Sequence, residues 1–238
     1  MSANLSTSRI RGVLFDVDGT LYHARPMRIR VFLALLILPL SGWGRARRIW
    51  RQIRCYRIAL EELRHVQSDT QDVTLTHLQH AAELSGYGVE EIRTTVEEWL
   101  MERPLPYLRR CRRPGLLELL EDLQNRGIKL GFFSDYPVLR KLQALEVDGY
   151  GSVHLSSGEP TINAYKPRPD GFLRAAELLG LPPAEVLYVG DRPEVDAVGA
   201  ANAGMSCVIV GGKGPVEGSG FLAVSGFAEL RVMMQNSI

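Results

Sequence analysis

Several things are scarce in this sequence of 238 residues, and each scarcity excludes something. Cysteine is rare: Cys55, Cys111 and Cys207 are odd in number and far apart. They form neither a zinc spacing nor a disulfide framework, which points to a reducing compartment and a cytoplasmic location. Net charge is nearly absent, at +1, so nothing global recommends nucleic acid or an anionic membrane as a partner. The longest apolar run, Val31–Leu40, has ten residues. That is about half of what a bilayer requires, and arginines bound it, so a buried or interfacial helix is the better reading. The start, Met1–Arg9, is polar and does not read as a signal peptide. No internal repeat or low-complexity segment stands out. Gly211–Gly220, with Lys213 among its glycines, lacks the spacing of a phosphate-cradling loop and reads as a mobile surface loop.

Acid is missing from one long stretch. Between Asp18 and Glu61 there is no Asp or Glu, while nine arginines fall there, from Arg25, Arg28 and Arg30 to Arg45, Arg47, Arg48, Arg51, Arg54 and Arg57. An acidic half follows, from Glu61 to Glu102. Two readings stay open. Basic and acidic helices could face each other in a bundle with mostly solvated pairs. The basic side could instead receive an anionic substrate, or lie on a membrane with the Val31–Leu40 run dipped in.

The whole block from 23 to 111 also lacks a strand of convincing alternation. Its periodicity is helical. Ile49, Ile53, Tyr56, Leu60 and Leu63 predict one helix from Arg45 onward. A second is predicted over Leu75–Leu84, closed by Ser85 and Gly86. A third spans Val89–Met101, with Val89, Ile92, Val96 and Trp99 inward and Pro104 and Pro106 as the stop. His77 and His80 are three apart, a spacing that suits a metal, but no third ligand is visible and surface histidines are the better reading.

What is present outside that block alternates. Gly12-Val13-Leu14-Phe15-Asp16-Val17-Asp18-Gly19-Thr20 reads as a short buried strand ending in two carboxylates. Extended geometry, if it persisted to the end, would set Asp16 and Asp18 side by side, a costly pairing without a cation or a shared proton. From Arg113 helices and strands take turns. Leu116–Leu123 is a helix ended by Gly127, and Ile128–Phe133 a strand leading into Ser134-Asp135. Pro137–Leu145 is a helix, Val153–Ser156 a strand and Pro169–Leu179 a helix. Val186–Val189 is a strand ending in Gly190-Asp191, Asp196–Ala203 a helix and Cys207–Val210 a strand. This predicts an α/β fold: a Rossmann-like parallel sheet flanked by helices, with ligands at the carboxyl ends of the strands. The inserted α-helical block divides the chain into 1–22 plus 112–238 and 23–111.

Singly, each polar group has a dull explanation: Ser134 and Asp191 as helix caps, Lys166 as an exposed turn lysine. In this order, three of them at strand ends, they form a pattern. Asp16-Val17-Asp18-Gly19-Thr20, then Ser134, then Lys166-Pro167, then Gly190-Asp191 through Asp196 resemble the four motifs of the haloacid dehalogenase superfamily, in its phosphatase-like branch. The resemblance covers about residues 9–22 and 113–238, and in that family a helical cap is inserted where the 23–111 block lies.

The resemblance implies a phosphomonoester phosphatase that passes through an aspartyl phosphate on a small phosphorylated metabolite. Asp16 would be the nucleophile and Asp18 the general acid and base. Mg²⁺ would be held by Asp16, by Asp18 through its backbone carbonyl, and by Asp191. Ser134 and Lys166 would bind the phosphoryl group, with Asp135 beside them on the substrate side. Thr20 would orient Asp18 or the phosphate, and Asp196 would hold Lys166 or the metal shell. Dehalogenases of the superfamily lack an acid at the position of Asp18, which favours phosphoryl transfer; Asp135 stands where many relatives carry asparagine. The alternatives are a phosphomutase with the same residues, or a protein of this fold that binds an anionic surface through its arginine-rich block. A monomer and a homodimer stay equally open, and no feature suggests nucleic-acid recognition.

Overall fold

The computed structural model describes residues 10–36, 43–64, 72–212 and 220–235. The chain divides into two compact units, one from 1–23 with 112–238 and one over Ala24–Cys111.

The first unit opens with β1 (Gly12–Phe15), buried at every residue. After the second unit it resumes with α6 (Leu116–Asn125), β2 (Lys129–Ser134), α7 (Leu139–Leu145), β3 (Val153–Ser156), α8 (Asp170–Leu179), β4 (Val186–Gly190), α9 (Val198–Asn202), β5 (Ser206–Val210), β6 (Leu222–Val224) and α10 (Phe227–Gln235). Among the described residues the strands form one parallel sheet in the order β3-β2-β1-β4-β5-β6. The α/β fold expected from the alternation is the one observed. Strands buried on both faces carry continuous apolar runs, which is why Val13-Leu14-Phe15 and Val186-Leu187-Tyr188-Val189 show no polar alternation. Register sets the site. Phe15 lies opposite Phe132 on one side and Val189 on the other. The residues that follow all three strands therefore emerge at one edge of the sheet. Below that edge Leu14, Phe133, Phe172 and Tyr188 belong to one buried cluster, with the Phe133 and Phe172 rings edge to face at 5.2 Å.

Two elements of this unit are absent from the sequence reading: β6 and α10. The glycine-rich 211–220 segment precedes them, and its residues 213–219 lie outside the described residues. The expected Asp196–Ala203 helix divides into a π-helical turn, Pro193–Ala197, and α9.

The second unit is helical throughout. It contains α1 (Ala24–Leu36), α2 (Trp43–Leu63), α3 (Val73–Ser85), α4 (Val89–Val96) and α5 (Leu105–Cys111). In α2 the residues Ile49, Gln52, Tyr56, Ala59 and Leu60 are buried, one face at helical spacing. Asp72 caps α3 by accepting the amides of Thr74 (2.8 Å) and Leu75 (3.0 Å). The Val89–Met101 helix is interrupted: α4 gives way to a π-helical turn, Glu97–Glu102, that buries Trp99. It ends at Glu102, just before Pro104 as expected, and the block then continues in α5. Pro106 sits in the first turn of α5, where its missing N–H costs nothing.

One reading of this unit needs correction. His77 is fully buried rather than on the surface; its ring stacks on Tyr56 at 3.8 Å and its Nε2 lies 2.7 Å from the Tyr56 carbonyl oxygen. His80 is half-buried and pairs with Glu62 at 2.5 Å, so the two histidines share no ligand position. Of the apolar run Val31–Leu40, the first six residues are in α1 and 37–40 lie outside the described residues. Val31 packs against Ile49 and Trp99, while Ile29 and Leu33 are exposed. No helix among the described residues is long and apolar enough to cross a membrane.

Candidate active site

β1 ends at Phe15, but the amide of Asp16 still donates to the Val189 carbonyl (2.9 Å), so Asp16 is placed by the sheet itself. The residue is 4% exposed. The Lys166 ammonium donates to Asp16 Oδ1 at 2.7 Å, to Asp196 Oδ1 at 2.8 Å and to the Tyr188 hydroxyl at 3.1 Å. Thr20 donates its hydroxyl to Asp16 Oδ2 at 2.8 Å, so the nucleophile candidate, and not Asp18, is what Thr20 orients.

Asp196 does two jobs with its two oxygens. One accepts from Lys166; the other accepts the amides of Asp191 (3.1 Å) and Arg192 (3.0 Å), which fixes the loop after β4. Gly190 leaves room for this, since a Cβ there would lie 2.4 Å from Asp196 Oδ2. Gly19 is needed twice over: its φ is +103°, and a Cβ would lie 2.2 Å from Asp191 Oδ2. The Arg113 guanidinium donates to the Gly19 carbonyl at 2.9 and 3.1 Å and steadies the same turn.

Asp16, Asp191 and Asp196 each offer an oxygen, all within 4.8 Å of one another. Asp16 and Asp196 share the Lys166 ammonium, and Asp191 lies beside them. Burial, and then the negative charge of Asp196, pushes Asp191 up to about 6. Burial raises Asp16 as well, against the pull of Lys166. Lys166 is raised too: burial disfavours its charge, but the Asp16 and Asp196 carboxylates outweigh that and hold it protonated. The surplus negative charge and the all-oxygen donor set fit a hard divalent cation such as Mg²⁺.

Asp18 stands apart from this cluster. Because β1 ends before it, the extended geometry that would have set Asp16 and Asp18 side by side is not maintained. Lys141 Nζ lies 2.7 Å from each Asp18 oxygen. The Tyr22 hydroxyl donates to Oδ1 at 2.5 Å and the Ser134 hydroxyl to Oδ2 at 2.9 Å. Burial alone would raise Asp18; the Lys141 charge and these hydrogen bonds more than offset it, so the carboxyl ends below its usual range. Asp135 turns inward, its Oδ1 accepting from the Ser157 hydroxyl (2.8 Å) and the Lys166 amide (3.1 Å). It braces the loop that presents Lys166.

A model of haloacid dehalogenase-like hydrolases matches residues 10–204. The chain belongs to this family of hydrolases. Phosphoglycolate phosphatase of Shigella boydii is 30% identical over 204 residues, 81% of this chain and 78% of its own. Glyceraldehyde 3-phosphate phosphatase of Methanopyrus kandleri is 31% identical over 212 residues, 84% and 83% of the two chains. Among solved structures, a HAD phosphatase from Thermococcus onnurineus superposes with a TM-score of 0.63 at 25% identity, covering 94% of this chain and 98% of that one.

In this haloacid dehalogenase-like hydrolase the structure gathers Asp16, Thr20, Lys166, Asp191 and Asp196 into one network, and Asp18 with Ser134 into a second. Lys141, Tyr22, Tyr188, Arg113 and Ser157 join these networks without belonging to any of the sequence motifs. For Lys141 a signal exists: Val138, Lys141, Leu142 and Leu145 form one apolar stripe, and a lysine inside it is buried. Tyr22 and Tyr188 give no comparable sign.

Proposed function

We propose that the chain is a phosphomonoester phosphatase acting on a small phosphorylated metabolite, through an aspartyl phosphate on Asp16. An Asp16 oxygen attacks phosphorus, and the bond from phosphorus to the leaving oxygen breaks. Without substrate Asp18 is held as a carboxylate; the negative charge of an arriving phosphoryl group favours its acid form, which gives the leaving oxygen its proton. The resulting carboxylate then takes a proton from water, which attacks phosphorus, releases inorganic phosphate and restores Asp16. Lys166 neutralises charge on Asp16 and the phosphoryl oxygens, and the Ser134 hydroxyl, turning from Asp18 when substrate binds, donates to one of those oxygens. Asp196 keeps Lys166 in place. Mg²⁺ would be held by Asp16, Asp191 and the Asp18 carbonyl, and when bound it supplies charge neutralisation between two anions. Residues 1–22 and 112–238 form the catalytic core, and the helical block 23–111 serves as the cap that selects the leaving group.

The observation that carries the proposal is the buried Asp16–Lys166–Asp196 chain, with Asp191 beside it and a second carboxylate two residues after the first. The phosphatase names of the relatives support the same chemistry. Asp16→Asn tests it. Turnover of an aryl phosphate with Mg²⁺ should fall by at least about 10³-fold with the circular dichroism spectrum unchanged. Free phosphate should be the product of the native enzyme. Unchanged turnover in the variant would sink the proposal.

A further inference from the structure

We propose that the outward face of α2 docks on an anionic phospholipid bilayer. The buried side of this 21-residue helix is Ile49, Tyr56 and Leu60. Its opposite side presents Arg47, Trp50, Arg51, Arg54, Arg57 and Ile58, all exposed and recurring at steps of three and four. Acid enters this stripe only at its C-terminal end, with Glu61 and Glu62. A groove of 530 Å³ runs along the face, lined by Trp50, Ile53 and Ile58 together with Arg54, Arg57, Glu61 and Glu62.

The composition of that face matches one partner. Trp50 is 51% exposed, and the Arg54 guanidinium lies over its ring at 5.3 Å. An indole with a cation on its face suits the headgroup layer, where the ring meets acyl carbon and the guanidinium meets phosphate. A protein partner carrying acid would satisfy the arginines but leaves the exposed tryptophan and isoleucine unexplained. A bilayer satisfies both, and a helix of this kind lies in the interface plane over about 30 Å. α1 repeats the pattern, with exposed Ile29 and Leu33 among Arg25, Arg28 and Arg30. The charge is local by construction: the chain as a whole is balanced at +1, yet Asp18 to Glu61 encloses nine arginines and neither an acid nor a lysine. Nearby acid is partly engaged inside the unit, Glu91 with Arg48 at 3.6 Å and with Gln52 at 2.6 Å.

Sedimentation of the full chain with vesicles tests this, and turnover plays no part in the readout. Vesicles with about one quarter phosphatidylglycerol should carry the protein down at about 0.05 M salt and release it at about 0.5 M; pure phosphatidylcholine should not bind. R47Q/R54Q should weaken partitioning by about 25-fold, about fivefold for each basic side chain removed. W50A/I58S should weaken it independently. All four side chains are exposed, so the thermal midpoint should not move in either variant. Equal binding to neutral and anionic vesicles, or undiminished binding of R47Q/R54Q, overturns the proposal. So does retention on heparin without vesicle binding, which would assign the face to a soluble polyanion.

Discussion

Lys141 straddles Asp18: one buried ammonium lies 2.7 Å from both oxygens of a carboxylate 123 residues earlier. If Asp18 is the proton donor, Lys141 is a positioning residue that holds it through charge while Tyr22 and Ser134 hold it through hydrogen bonds. Lys141→Met should then discriminate between leaving groups. Turnover of an alkyl phosphate, which needs its leaving oxygen protonated, should fall by about 10–10²-fold. Turnover of an aryl phosphate with a good leaving group should change by less than about threefold. Equal losses on both would mean that Lys141 only supports the fold.

Gly19→Ala should injure the metal site more than the fold. The methyl group enters a left-handed turn and reaches Asp191 Oδ2. A cost of about 1–3 kcal/mol in stability is expected from the backbone alone. The Mg²⁺ concentration for half-maximal activity should rise at least about tenfold as Asp191 is displaced. A metal titration that superimposes on the native one would show that the turn tolerates a side chain.

His80 gives the helical unit a pH-dependent contribution. Its hydrogen bond to Glu62 raises its pKa above the free value, with Glu83 helping and partial burial opposing. The folded state therefore binds the proton more tightly than the unfolded chain does. The added stability is complete below the unfolded pKa of about 6.5 and is lost as pH rises through the folded pKa. His80→Gln should thus lower the unfolding midpoint clearly near pH 5.5 and little near pH 8.5. An equal loss at both would exclude this linkage.

The thiols should react in two classes. Cys55 is half-buried, whereas Cys111 and Cys207 are buried. Burial, with the Asp196 charge, pushes the Cys207 thiol well up and starves it of thiolate. A disulfide reagent at pH 8 should modify Cys55 rapidly and the other two only on unfolding. Rapid loss of all three would contradict the packing beneath β5.

Strand ends were the most legible feature of this sequence, because buried parallel strands have a continuous apolar signal and polar chemistry can begin only where they stop. Asp16, Ser134 and Asp191 were found that way, and their order pointed to the family. What was illegible were partners supplied by tertiary contact. Lys141 reaches Asp18 from a helix, and Tyr188 reaches Lys166 from within a strand. The placing of Asp18 depends on whether strand geometry persists past Phe15, and the turn there is not visible in a run of apolar residues. The spacing of His77 from His80 hides its burial, which the stripe Val73, His77 and Ala81 of α3 marks. β6 has three residues, too few to show a period.

The register of β1 has a further consequence, in time rather than space. Its two neighbours are Lys129–Phe132 and Val186–Val189. A ribosome adding about 5–20 residues per second leaves Val13-Leu14-Phe15 without its second neighbour for roughly ten to thirty seconds. The helical unit from Ala24 to Cys111 is complete well before then and can fold while the sheet waits. A fully buried strand is thus among the first parts made, yet it waits for a neighbour that comes late in the chain. A chain that stops short of Val186 leaves that strand with an open, apolar edge.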